Sequence, residues 1–349
     1  MEENDIYIKR CVELARNGKG LVTPNPMVGC VIVYKGAIIG EGYHREFGGA
    51  HAEVNAINTV EDKDLLKESV LYVNLEPCSH HGKTPPCADL IIKMKIPKVI
   101  IGMNDPFDEV AGKGIQKLKD AGIEVVSGVM EDECRELNKR FITFHEKKRP
   151  YIILKWAQTK DGFIGKNCNT PSEYKPTWIT SENLKPLVHK WRTEEQSIMV
   201  GTNTALLDNP KLNAREWEGR DPIRLALDKN LRLPESLHIF DGSVPTIIFT
   251  SLQKTTKNIK NTEFIEMDFK GNIALQVCDV LFEKKIQSLF VEGGTMLLQA
   301  FIDRGLWDEA RIFTGNKEFH EGVKAPEIKG KIISEDVFDE DRLVIMKRK

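Results

Sequence analysis

The plainest chemistry in the sequence belongs to a few nitrogen and sulfur side chains. His51 stands two residues before Glu53 in GGAHAEVNAI, and Cys78 and Cys87 lie in the stretch EPCSHHGKTPPC, Glu76–Cys87. One imidazole and two thiolates make a donor set that zinc favours, and three protein ligands leave a fourth position for water. Zinc brings the pKa of water from about 15.7 towards about 7. A carboxylate beside the ligand histidine can then carry the proton, a contribution of about 10²–10⁴ in rate. Glu53 occupies that place. Other readings of the same stretch stand beside this one. Cys78 and Cys87 could form a disulfide or a redox pair, or half of a structural knuckle closed by His80 or His81. A closed knuckle would leave no site for water and no task for Glu53.

Hydrophobic periodicity supplies the elements that must hold these residues. DIYIKRCVELARNGKG has the pattern of an amphipathic helix ended by glycine, and MVGCVIVYKGAIIGEGYH that of a hairpin turning at Lys35-Gly36. AHAEVNAINTV is a second helix, with His51 and Glu53 at its start. SVLYVNLEPC is a strand that delivers Cys78, and CADLIIKMK a helix that Cys87 opens. A helix N-terminus lowers a thiol pKa and favours the thiolate that a metal needs. KVIIGMND, GKGIQKLKDAG and IEVVSGV continue the alternation. The order predicts a three-layer α/β domain with helices packed on a sheet. Zinc nucleobase deaminases carry H-x-E followed by P-C-x-x-C. His51-Ala52-Glu53 and Pro77-Cys78 meet that signature, but the spacing here is C-x8-C, with SHHGKTPP inserted.

A charged run closed by proline, Glu146–Pro150, marks the joint between a domain over 1–146 and a second over 150–349. Beyond it, YIILKWAQTKDGFIG, SIMVGTNT, PIRLALD, TIIFTS and SLFVEGGT are strand-to-turn units of another α/β domain. No G-x-G-x-x-G is present, since Gly112 and Gly114 are followed by IQK. SLFVEGGTMLLQAFI runs from a strand through Glu292-Gly293-Gly294-Thr295 into an amphipathic helix, and IMVGTNTALLDNP offers a similar turn. Such turns let a phosphate approach backbone N–H groups. A purely structural glycine turn fits them equally well.

Composition bounds the rest. The 349 residues carry 50 Lys+Arg against 52 Asp+Glu, a net charge of -2, which argues against nucleic-acid binding through bulk charge. A local basic cleft for a phosphorylated small molecule is compatible with that balance. The opening MEENDIYIKR lacks the apolar core of a signal peptide, and no stretch is apolar for long enough to span a bilayer. Seven scattered cysteines disfavour a secreted disulfide framework, so a reducing cytoplasm is expected.

Taken together, TPNPMVGCVIV, GEGYH, GGAHAEVNA, EPCSHHGKTPPC and NDP followed by VAGKGI resemble the deaminase half of bifunctional riboflavin biosynthesis enzymes, where C-x8-C is the rule. The resemblance implies a cytidine-deaminase-like domain with zinc on His51, Cys78 and Cys87 and with Glu53 catalytic. The implied reaction removes the 2-amino group of a diaminopyrimidinone ribosylamine 5′-phosphate. Asn25, His44, His80, Lys83 and Asn104 become substrate contacts. For Asn25 the plain alternative is an Asx turn, and for Lys83 a solvated loop lysine.

KWAQTKDGFIG, TWITSE, HKWRTEEQSIMVGTNTALLDNPKLNAR and VEGGT are similar to the reductase half of the same enzymes, a dihydrofolate-reductase-like α/β domain that uses NADPH. The resemblance implies cofactor contacts from Ala157, Trp178, Thr204, Asp208, Gly293, Gly294 and Thr295. It implies substrate contacts from Lys155, Arg192, Leu212, Arg215 and Glu292. Paired guanidinium donors suit a 5′-phosphate. Two departures stand out: Pro176 replaces a serine usual in the family, and the chain beyond EARIFTGNK is irregular. The expected partner is a small phosphorylated pyrimidine, without nucleic acid or membrane, acted on by a homo-oligomer. Three alternatives are carried forward: a nucleoside or tRNA deaminase with an unrelated C-terminal domain, a binding protein with a structural zinc knuckle, and an enzyme with one live half.

Overall fold

The computed structural model describes residues 3–79, 85–107, 111–167, 177–252 and 257–348. His80, Lys83 and Pro176 lie outside them. The chain divides into two compact units, residues 1–148 and 149–349, and each is taken by itself.

In the first unit, the strands β1 (Gly29–Tyr34), β3 (Val70–Leu75) and β4 (Lys98–Met103) are apolar almost throughout, the mark of strands covered on both faces. With β2 (Ala37–Tyr43) and β5 (Glu124–Ser127) they form, among the described residues, a five-stranded sheet in the order β2-β1-β3-β4-β5. The first two pairings are antiparallel and the last two parallel. Successive side chains point to opposite faces. Ile32, Leu71, Val73, Val99 and Ile101 therefore pack with Ala56, Ile57, Ile91 and Leu118 from α2 (Ala52–Thr59), α3 (Cys87–Lys93) and α4 (Lys113–Asp120). Val31, Tyr72 and Ile100 meet Ile8, Cys11 and Cys134 from α1 (Glu3–Ala15) and α5 (Glu131–Leu137) on the other face. The result is three layers, as expected. Two helices went unread in the sequence: α5, and α6 (Lys139–Lys147), which buries Phe141, Ile142 and Phe144. The charged run from Glu146 thus begins as the last turn of α6.

The second unit repeats the logic at larger scale. In chain order its strands are β6 (Tyr151–Thr159), β7 (Phe163–Gly165), β8 (Ser197–Val200), β9 (Ile223–Leu227), β10 (Thr246–Thr250), β11 (Thr262–Glu266), β12 (Ser288–Glu292), β13 (Glu309–Gly315), β14 (Val323–Lys324), β15 (Lys331–Phe338) and β16 (Asp341–Lys347). Among the described residues they give a nine-stranded sheet, β11-β10-β9-β8-β12-β6-β13-β16-β15, and a two-stranded ribbon, β14-β7. The large sheet is parallel from β11 to β13; β16 and β15 run antiparallel. Helices α7 (Lys185–Glu194), α8 (Thr202–Asp208), α9 (Ile273–Glu283) and α10 (Thr295–Asp303) complete it. Ile152, Leu154, Leu289 and Val291 face one core with Val277, Leu281 and Phe301; Tyr151, Ile153, Phe290 and Phe313 face the other with Trp191. The C-terminal hairpin β15–β16 escaped the sequence reading because its outer strand alternates nothing: Ile332, Ile333 and Val337 are exposed.

Candidate functional site

The sheet of the first unit brings its chemistry to one end of its strands. His51 is the residue before α2, in extended backbone (φ -72, ψ 165), and Glu53 sits in the first turn, 3% exposed. Cys78 follows β3, and Cys87 is the first residue of α3. His51 Nδ1 lies 3.6 Å from Cys78 Sγ and 3.3 Å from Cys87 Sγ, and all three donor atoms fall within 4.8 Å of one another. A tetrahedral ion with Zn–N near 2.05 Å and Zn–S near 2.3 Å would set N and S about 3.6 Å apart. The donor set and its spacing fit zinc. Both thiols are free rather than bridged, which removes the disulfide reading.

Electrostatics sharpen the picture. The Cys87 thiol and backbone N–H both donate to Cys78 Sγ, and with His51 they hold the Cys78 thiol down at about 4. That same hydrogen bond, with burial, pushes Cys87 up. Burial, aided by the charge on Cys78, pushes Glu53 up to about 7; a bound cation would act in the opposite direction.

Asn25 and His44 meet each other beside His51. Asn25 Nδ2 is 3.1 Å from His44 Nε2, His44 Nδ1 is 3.0 Å from the Ala50 carbonyl, and the two imidazoles stand edge to face at 5.5 Å. A carbonyl only accepts, so the proton is on Nδ1 and Nε2 accepts from Asn25. That leaves Asn25 Oδ1 and one amide N–H for a ligand. The turn that carries Asn25 is held from far away. Asn138 Oδ1 accepts from the Met27 N–H at 2.8 Å and Asn138 Nδ2 donates to the Met27 carbonyl at 2.9 Å, while Asn74 Oδ1 accepts from Gly29 N–H at 2.7 Å. No sequence spacing links these asparagines, so their part was illegible. Asn104 is exposed at the end of β4.

In the second unit the two glycine-bearing turns come together. Gly293 and Gly294 have φ of 81 and 78, and a Cβ on Gly294 would stand 3.3 Å from Thr204 Oγ1. The turn after β12 and the start of α8 therefore border one space. Trp178 is 55% exposed, with the Lys185 ammonium 4.2 Å from its ring centroid. Glu292 is paired across the sheet with Lys155 and gripped by Arg192, Nε to Oε1 at 3.0 Å and Nη2 to Oε2 at 2.7 Å. Burial would raise the Glu292 carboxyl, but Arg192 and Lys155 outweigh it and hold it at about 2. Burial lowers Lys155. Arg192 Nη1 also donates to the Asn213 carbonyl at 2.9 Å, so three of its N–H groups are committed within the protein. Arg215 is the freer cation, 3.2 Å from Asn213 Oδ1 and 3.8 Å from Glu216. Leu212 is buried with φ 54, Ala157 half-buried on β6, and Asp208 ends α8.

A histidine–dicysteine cluster at two helix starts, with a buried glutamate beside it, defines a zinc-type hydrolytic site joined to a second α/β domain. Residues 1–103 match the cytidine and deoxycytidylate deaminase zinc-binding region, and residues 150–317 match the RibD C-terminal domain. The riboflavin biosynthesis protein RibD of Aquifex aeolicus is 38% identical over 334 residues, 95% of this chain and 92% of its own. That of Escherichia coli is 35% identical over 332 residues, covering 90% and 88%. The crystal structure of a diaminohydroxyphosphoribosylaminopyrimidine deaminase/5-amino-6-(5-phosphoribosylamino)uracil reductase from Thermotoga maritima aligns over 99% of both chains, with a TM-score of 0.90 and 37% identity. The chain belongs to the RibD family of bifunctional riboflavin biosynthesis enzymes, with a deaminase domain followed by a reductase domain. A match of this length leaves no room for an unrelated C-terminal domain. Among the described residues no helix is long and apolar enough to cross a membrane.

Proposed function

We propose that residues 1–146 deaminate 2,5-diamino-6-ribosylamino-4(3H)-pyrimidinone 5′-phosphate by hydrolysis, and that residues 150–349 reduce the ribosylamino group of the product to a ribitylamino chain. In the first domain His51 Nδ1, Cys78 and Cys87 hold zinc, which when bound supplies the Lewis acidity that makes water a nucleophile at neutral pH. Glu53 takes the proton from the attacking water and returns one to the departing amine. Asn25, oriented by His44, reads the donor and acceptor edge of the ring, and Asn104 supports it from the end of β4. His80 and Lys83, outside the described residues, bind the phosphorylated end.

In the second domain Gly293, Gly294, Thr295, Thr204, Asp208, Trp178 and Ala157 hold NADPH, which when bound supplies the hydride for C1′. Arg215 binds the 5′-phosphate, Leu212 and Lys155 line the ribose, and Arg192 acts through the carboxylate of Glu292. The cytoplasm, which keeps thiols reduced, is the expected setting.

The observation that carries this reading is the convergence of one imidazole nitrogen and two thiol sulfurs, at 3.3 and 3.6 Å, beside a buried glutamate. Removal of zinc by a chelator should abolish ammonia release and leave NADPH oxidation with the deaminated intermediate intact. Ammonia release that persists in metal-free protein would overturn the zinc assignment.

A further inference from the structure

Glu76 opens the zinc-ligand stretch, two residues before Cys78, and none of the chemistry above uses it. It is 4% exposed. Its carboxylate accepts four backbone N–H groups. Oε2 takes those of Asp105 at 3.2 Å and Gly112 at 3.0 Å, and Oε1 those of Gly114 at 2.9 Å and Ile115 at 3.2 Å. Two carboxylate oxygens offer about four lone-pair sites, so the group is saturated and has nothing left for a metal or a proton transfer. Among the described residues it has no ion-pair partner.

The four donors have a geometric meaning. The Asp105 N–H belongs to the peptide that joins Asn104 to Asp105, so Glu76 fixes the plane through which Asn104 leaves β4. Leu75 pairs with Met103, and the Glu76 N–H donates to the Met103 carbonyl at 3.0 Å, which sets Glu76 alongside Asn104. The other three donors are the start of α4, which packs hard against the ligand strand: a Cβ on Gly114 would stand 2.0 Å from the Pro77 carbonyl oxygen. One side chain therefore ties the strand that delivers Cys78 to the residue beyond the neighbouring strand.

We propose that Glu76 is a positioning residue of the deaminase, holding Asn104 in register with the zinc ligands so that it can bind the pyrimidine. This rests on the reading of Asn104 as a substrate contact. Glutamine cannot replace the carboxylate, because its amide NH₂ would face two backbone donors in either orientation.

The test uses the full-length, zinc-loaded chain as wild type, E76Q, N104A and the double variant. Ammonia release from the diaminopyrimidinone phosphate gives kcat and KM, zinc per chain is counted by atomic emission, and NADPH oxidation with the deaminated intermediate serves as the control. E76Q should raise KM about tenfold, the equivalent of one substrate hydrogen bond, with zinc content and reductase rate unchanged. N104A should do the same, and the double variant should be no worse than either single one. A wild-type KM for E76Q, even with a lowered Tm, would make Glu76 a fold stabiliser only and overturn the proposal. Single effects that multiply in the double variant would overturn the coupling. A wild-type KM for N104A would sink the reading of Asn104, and the proposal with it. If E76Q fails to accumulate, E76D keeps both acceptor oxygens on a shorter arm. It should show a smaller KM rise that disappears in the N104A background, and a rise that persists there counts against the proposal.

Discussion

Replacing Arg192 by methionine leaves the Glu292 carboxylate buried without the guanidinium that grips it through two hydrogen bonds. In the folded protein that carboxyl is held at about 2, although burial alone would raise it. An unfolded glutamate titrates near 4.3, so the depression of about two units corresponds to roughly 3 kcal/mol of folded-state stabilisation at neutral pH. Breaking a buried pair from one side costs about 3–5 kcal/mol by the same logic. Arg192→Met should therefore lose about 3 kcal/mol. Arg192→Met/Glu292→Gln should recover most of it, giving a coupling of about 2 kcal/mol or more.

The assay is available from the sequence. All five tryptophans, Trp156, Trp178, Trp191, Trp217 and Trp307, lie in the second unit, so tryptophan fluorescence in urea follows that unit alone. The sign with pH is fixed. A depressed carboxyl contributes stability above its unfolded pKa and loses it as pH falls through the folded one. The penalty of Arg192→Met should be largest at neutral pH and fade as pH falls towards about 2, where the carboxyl becomes protonated with or without the guanidinium. A coupling within about 0.5 kcal/mol of zero, or a penalty that does not change with pH, would refute the argument.

Three further outcomes follow from the two sites. Cys87→Ser should lower bound zinc from one per chain to substoichiometric, measured by atomic emission, and abolish ammonia release while the reductase works on deaminated intermediate. Glu53→Gln should keep its zinc but slow deamination by about 10²–10⁴, the range for a positioned acid–base group; a loss below tenfold would remove Glu53 from proton transfer. Gly294→Ala forces a Cβ into left-handed backbone at φ 78 and to 3.3 Å from Thr204 Oγ1, a strain of about 1–2 kcal/mol. Fluorescence titration should then give an NADPH Kd at least about tenfold weaker, and an unchanged Kd would contradict the placement of the cofactor at that turn.

The legible part of this protein was local. Alternation and glycine punctuation located β1 to β5 and the starts of α2 and α3, and those starts present His51, Glu53 and Cys87. What stayed hidden was carried by contacts between distant residues. Asn138 holds the turn of Asn25 from 111 residues beyond Met27, and Asn213 holds Arg192 through a backbone carbonyl, which leaves no mark in side-chain type. Glu76 was visible at the head of the ligand stretch, but its four donors are backbone N–H groups that any residue could supply. Charge hid α5 and α6, where EDECREL and KRFITFHEK show few apolar residues to read until Cys134, Phe141 and Ile142 are seen against the core. The exposed outer strand β15 had no periodicity to read.

The central claim is that one chain performs both steps, hydrolytic deamination and then reduction. The most direct measurement incubates zinc-loaded protein with the diaminopyrimidinone ribosylamine phosphate and NADPH and weighs the product by mass spectrometry. An amino-to-oxo exchange together with two added hydrogens is the expected result. Exchange without reduction would contradict the reductase assignment, and an unchanged substrate from folded, zinc-bearing protein would return the His51–Cys78–Cys87 cluster to a structural role.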